Sequence, residues 1–148
     1  VRRLVGSEMC IRDSVNILNY KLIMKIKFKI LDFIFYCKVK NNQTGKRIYE
    51  MLPIKGKINT WGKEIYFNIP KNDILPENDA KEVFNLGVIA FWNQGSAIAI
   101  GFGPTPVSNS NEIRLVSAAN HWADAINPLE LKKLDKYKDG EIIEVSRY

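Results

Sequence analysis

The sequence is poor in the residues that most often do chemistry. It has two cysteines, Cys10 and Cys37, and one histidine, His121. So few ligands cannot build a thiolate–histidine zinc site of the usual kind, and no metal or other cofactor is expected. A Gly-x-Ser-x-Gly elbow is missing. "GFGPTP" (101–106) begins like a phosphate loop but lacks the Gly-Lys-Ser/Thr ending, and no helix is expected after it. Gly101 and Gly103 are better read as allowing close backbone approach, with the prolines stiffening a turn. No apolar run reaches the length of a membrane span; "FKILDFIFYC" (28–37) is short and carries Asp32. No Lys/Arg tract with interleaved aromatics occurs, so nucleic acid is not an expected partner. A cytoplasmic protein that does not engage membranes is the default expectation.

The first residues fit no structural pattern. "LVGSEMCIRDS" (4–14) matches, without a mismatch, the translation of a transposon-type adapter used in sequencing libraries, and Arg3 fits the codon before it. Residues 1–14 are therefore read as adapter-derived and set aside. "VNILNYKLI" (15–23) has no cap or turn signal, and Asn16, Asn19 and Lys21 break its apolar letters. It reads as non-native upstream translation rather than a secretory signal. Residues 24–148 are expected to form one domain that begins at Met24 and folds without the prefix. Cys37 is then unpaired; in "IFYCKV" a buried, inert thiol is expected.

The chain carries a net charge of +6, of which the prefix supplies +1 (Arg2, Arg3 and Arg12 against Glu8 and Asp13). The remaining excess is scattered lysine. Lys25, Lys27 and Lys29 alternate on one face of "MKIKFKI", where a solvated stripe that blocks edge-to-edge pairing is the expected role.

The periodicity is mostly that of short strands. "MKIKFKI" and "FIFYCKV" read as two strands joined at Leu31-Asp32. "KNNQTGKRIYEMLPI" (40–54) predicts a helix capped by Asn41 or Asn42, with Ile48, Met51 and Leu52 on one face and Pro53 as its stop. "EIYFNI" (64–69) alternates, with Ile65, Phe67 and Ile69 on one face and Glu64, Tyr66 and Asn68 on the other. Trp61, before the turn at Gly62, is expected to be a buried anchor where the helix meets the sheet. "KNDILPENDAKEVF" (71–84) predicts a polar connection with one helical turn. "NLGVIAFW" (85–92) and "AIAIGFG" (97–103), separated by "NQGS", are continuous apolar strands expected at the centre of the sheet. "EIRLVS" (112–117) is a further strand. "AANHWADAIN" (118–127) is compatible with helix or strand. "PLELKKLDKYKDG" (128–140) predicts a short helix that starts at Pro128, with a turn at Asp139-Gly140, and "EIIEVSRY" (141–148) a closing strand. Seven or eight short strands with two short helices predict a mainly β, closed antiparallel barrel.

Taken singly, the polar residues do not suggest catalysis. Asp79, Glu82 and Glu112 read as solvated charges. His121 has no sequence-local acid to orient it and, beside Trp122, reads as a packed aromatic.

Several stretches together resemble a known family. "LPI" (52–54), "NTWGKEIYF" (59–67), Gly87, Phe91-Trp92, "FGPTP" (102–106) and "SAAN" (117–120) follow in order. They resemble the atypical cyclophilin-like family of small stand-alone bacterial and archaeal proteins, over Met24 to Val145. The resemblance implies a closed eight-stranded cyclophilin-like barrel with one or two short helices, and implies that "AANHWADAI" is strand. Two departures stand out. The family usually has Trp-Pro-Pro-Gly where this chain has Trp92-Asn93-Gln94-Gly95, and commonly an apolar residue at the position of His121.

The resemblance raises peptidyl-prolyl isomerisation as one reading. True cyclophilins weaken the amide with an arginine beside the prolyl nitrogen. Outside the prefix the arginines are Arg47, Arg114 and Arg147, and Arg114 alone falls on a barrel-type strand. The true-cyclophilin stretches Phe-His-x-Ile, Gln-Gly-Gly-Asp-Phe and Gln-Phe-Phe are missing, and fold does not carry function. The preferred expectation is a non-catalytic module that binds a small molecule or an extended peptide. Its expected contact residues are Tyr66, Trp92, Phe102 and Asn120, near strand ends; Arg114 is catalytic only under the isomerase reading.

Overall fold

The computed structural model describes residues 24–148. The adapter and upstream readings of residues 1–23 lie outside the described residues. Ten strands form one antiparallel sheet, in the order β3-β10-β1-β2-β9-β7-β8-β5-β4, with β6 added on β9. The strands are β1 (Met24–Ile30), β2 (Phe33–Val39), β3 (Ile54–Lys57), β4 (Asn59–Thr60), β5 (Glu64–Asn68), β6 (Lys81–Phe84), β7 (Val88–Trp92), β8 (Ala97–Gly101), β9 (Ile113–Ala125) and β10 (Ile142–Arg147). Among the described residues there are also one α-helix, α1 (Gln43–Met51), and one 3-10 helix (Pro128–Lys136). Without the two-residue β4 and the off-path β6, the eight expected barrel strands remain. The sheet rolls up because β3, at one end of the path, packs against β5, near the other. Gly56 makes this possible: a Cβ there would lie 2.9 Å from the Phe67 ring.

Alternation builds the β1–β2 hairpin. Ile26, Phe28 and Ile30 point inward opposite Cys37, Phe35 and Phe33, and the Phe28 and Phe35 rings stack at 4.8 Å. Leu31 makes the two-residue turn in the left-handed region (φ 52°). The lysine stripe does not guard an edge: β1 is paired on both sides, with β2 and β10, and Lys25, Lys27 and Lys29 project from the outer face. Cys37 is buried in the core and makes no disulfide among the described residues, and burial pushes its thiol up beyond the reach of ordinary pH.

The helix is built as its sequence dictates. The Asn42 side chain accepts from the Gly45 amide at 2.8 Å, and Ile48 enters the core. The Pro128 segment is helical but wound as a 3-10 helix, and it buries Leu131 and Leu134 in the same core. Two expectations are corrected. Residues 71–84 contain no helical turn; their end is strand β6, whose Val83 and Phe84 pair with Arg114 and Ile113. Trp61 is only half-buried, and the fully buried tryptophan is Trp122. The Gly62 turn faces the 102–106 loop rather than the helix, which explains why Trp61 is not the anchor. Among the described residues no helix is long and apolar enough to cross a membrane.

Candidate functional site

β8 decides where the site lies. Its sequence "AIAIG" points Ile98 and Ile100 into the barrel, and so places Ala97, Ala99 and Gly101 on the outer face. Across the sheet on that face, Tyr66 of β5, Ala99 of β8 and Ala90 of β7 stand in one row. Two methyl groups in a row leave a trough. The first half of β9 folds back over part of it; a Cβ on Gly101 would lie 2.3 Å from Ile113 Cγ2. Phe84, Ala90, Ala99, Leu115 and Ala119 form a second, smaller apolar cluster there.

What stays open is a cavity of about 210 Å³ lined by Trp61, Glu64, Tyr66, Trp92, Leu115 and Val116. The Tyr66 and Trp92 rings meet edge to face, 6.1 Å between centroids at 79°. The Trp92 indole N–H donates to Ser117 Oγ at 2.6 Å, and Ser117 Oγ donates to Gln94 Oε1 at 3.2 Å, which fixes the ring. Close approach of Gly95 to the Trp92 ring excludes any side chain at that turn position, since a Cβ would fall 2.2 Å from it.

Trp61 is placed by two interlocked loops. Its amide donates to the Glu64 carbonyl, closing a turn in which Gly62 has φ 61°. Gly62 lies against Thr105 and Pro106, where a Cβ would be 2.9 Å from each. Lys63 N donates to Pro104 O at 2.9 Å and Phe102 N to Lys63 O at 2.7 Å. The two most specific sequence motifs, "NTWG" and "FGPTP", are thus two halves of one support.

Glu64 is the functional candidate that sequence reasoning missed. It is 5 % exposed, and its Oε1 has no hydrogen-bond partner among the described residues. Burial pushes its carboxyl up from the ordinary 4.5 to about 8. Alternation assigned it to a polar face; that face is covered, and the small residues facing it on β8 were the available signal.

The four expected contact residues do not converge. Tyr66 and Trp92 line the cavity together. Phe102 is nearly buried and borders two other, shallower depressions. Asn120 is fully buried and away from the cavity. Its Nδ2 donates to Thr44 Oγ1 and to Leu75 O, both at 2.9 Å, and its Oδ1 accepts from Glu77 N at 2.8 Å. That amide is satisfied by protein and ties the 75–77 segment and α1 to β9.

Arg114 is also engaged. It bonds Glu112 through Nε and Nη2, and Glu82 through Nη1 at 2.9 Å. Glu112 and Glu82 are therefore ion-pair partners, and the guanidinium holds the Glu112 carboxyl below its ordinary value. Asp79 lies 3.7 Å from the Lys40 ammonium. His121, contrary to expectation, has a local acid: its Nε2 lies 2.7 Å from Asp124 Oδ1. The register shift between Ile89 and Ala90 makes Trp122 an extra residue, so positions 121 and 124 share the outer face. His121 also meets the Phe84 ring edge-on.

Comparison with known proteins agrees with this architecture. The family model described as cyclophilin-like matches residues 24–146. A hypothetical protein from Archaeoglobus fulgidus, determined in solution, is similar at 32 % identity with a TM-score of 0.71, over 86 % of this chain and 96 % of that one. No curated protein matches the sequence. A family match across nearly all the described residues, on a rolled antiparallel barrel with the expected strand count, means that the chain belongs to the cyclophilin-like family.

Proposed function

We propose that the domain is a non-catalytic binding module, which takes part of a small molecule or a group on an extended peptide into the aromatic cavity on the outer face of the barrel. The observation that carries this reading is the preformed cavity itself, with Tyr66 and Trp92 edge to face and the Trp92 indole tied to Ser117. Its volume of about 210 Å³ is below the roughly 300–1,000 Å³ of sites for drug-sized ligands, so it suits one side-chain-sized group. A cytoplasmic setting, with neither membrane nor nucleic acid as partner, belongs to the same proposal.

The engaged Arg114 favours binding over isomerisation. A prolyl isomerase needs a donor free to meet the prolyl nitrogen, whereas this guanidinium is held by two carboxylates. A thermal-shift screen of metabolites and proline-containing peptides, with a prolyl isomerisation assay beside it, tests the reading. Stabilisation by a ligand that also perturbs Trp92, without rate acceleration, is expected. Acceleration of isomerisation would overturn it.

A further inference from the structure

Resting on that binding reading, we propose that the group the cavity accepts is an organic ammonium ion carrying N–H bonds on a short alkyl stem. Among the described residues the lining contains one carboxyl group, Glu64, and no Lys, Arg or His. Nothing in it can neutralise a phosphate or a carboxylate. The missing interaction follows from the ionised state: Glu64 Oε1 is buried without a partner among the described residues, and a carboxylate oxygen can only accept. Leaving such an atom unpaired is costly, and a ligand N–H removes that cost. Trp61, Tyr66 and Trp92 present three aromatic side chains around the same space, and aromatic faces attract cations most strongly where water is excluded. Leu115 and Val116 complete the lining with apolar surface suited to an alkyl stem.

The neighbouring charges do not already serve Glu64. Lys63, beside it on the chain, reaches Asp135 at 2.7 Å. Arg114, next to Leu115, is held by Glu112 and Glu82. On β8 the residue opposite Glu64 is Gly101, and among the described residues the only other titratable group in the lining is Tyr66. An acidic pocket on a chain of net charge +6 is a local feature, not an outcome of overall charge. Burial keeps the empty site's carboxyl protonated up to about pH 8, so an entering ammonium ion must displace that proton.

Titration of the full chain with n-butylammonium, 1-butanol and butyrate, followed by the NMR signals of Trp61, Tyr66 and Trp92, tests this. Butylammonium should bind at least about tenfold more tightly than either isostere, and about tenfold more tightly at pH 9 than at pH 7. Glu64→Gln should remove both preferences, and Tyr66→Leu, which leaves the carboxyl in place, should weaken butylammonium alone. Equal binding of butanol, or unchanged butylammonium binding by Glu64→Gln, overturns the cation assignment and leaves the binding module standing. Perturbation of those three residues by none of the probes, nor by any ligand of the screen, rejects both.

Discussion

The Nδ2 amide of Asn120 donates to the hydroxyl of Thr44 at 2.9 Å, joining residues 76 positions apart. The same hydroxyl donates to Glu77 Oε2 at 2.6 Å, and Glu77 N returns to Asn120 Oδ1. The ring of bonds is closed and part-buried, so each member depends on the others. Asn120→Ala should cost about 2–4 kcal/mol, because Thr44, Leu75 and Glu77 all lose a partner and Thr44 is fully buried. Urea unfolding measures this; a midpoint equal to wild type would mean the network contributes little.

Two tryptophans separate stability from binding. Trp122, the extra residue of the β9 bulge, is fully buried, and Trp122→Ala should cost about 3–5 kcal/mol. Trp61 is half-buried at the cavity mouth, so Trp61→Ala should cost about 1 kcal/mol or less and act on ligand affinity instead. Equal losses of unfolding free energy from the two variants would contradict the assignment.

How much of this was legible follows from the range of the interactions. The β1–β2 hairpin and α1 are encoded locally, by two-residue alternation and by the Asn42 cap, and both stand as read. In β8 the strand was legible but its faces were not: "AIAIG" is apolar throughout, and only pairing shows that its small residues form the trough. Glu64 looked solvent-facing because the segment that covers it lies some fifty residues later in the chain, by about the count from Glu64 to Leu115. The spacing of His121 and Asp124 suggests opposite faces of a strand, and the extra residue at Trp122 reverses that. Asn120 was expected to meet a ligand, but its amide is used by partners at positions 44, 75 and 77, where no periodicity points.

Glu64 should leave a signature in stability against pH. Its folded carboxyl is raised to about 8 from the ordinary 4.5. Between those values the unfolded chain has lost this proton and the folded chain keeps it, so stability falls as pH rises through the window. The contribution is on the order of 3–5 kcal/mol across the window at most. Glu64→Gln has no such proton to lose. Compared with wild type at pH 4, where both side chains are neutral, the variant should gain relative stability steadily up to pH 8. Parallel melting-temperature curves for the two proteins would remove the raised carboxyl from the account.

Prolyl isomerisation is the sharpest test of whether the family fold carries activity here. Uncatalysed X-Pro exchange takes tens to hundreds of seconds, so even weak catalysis is measurable. Catalysis requires a donor that binds the twisted amide better than the planar one. Contrary to the sequence reading, Arg147 also stands on a barrel strand, at the end of β10, where its Nε and Nη2 donate to Tyr49 O; on β9, Arg114 has three nitrogens that already bond Glu112 and Glu82. Turning it toward a substrate means breaking those bonds in the ground state, which works against any gain in the transition state. The wild-type domain should therefore give no acceleration, and Glu82→Gln, which loosens one arm of the clamp, should not create it. Arg114→Ala should leave the unfolding midpoint nearly unchanged, as expected for partly exposed ion pairs. A clear wild-type rate enhancement, abolished by Arg114→Ala with the unfolding midpoint unchanged, would replace the binding module with an enzyme.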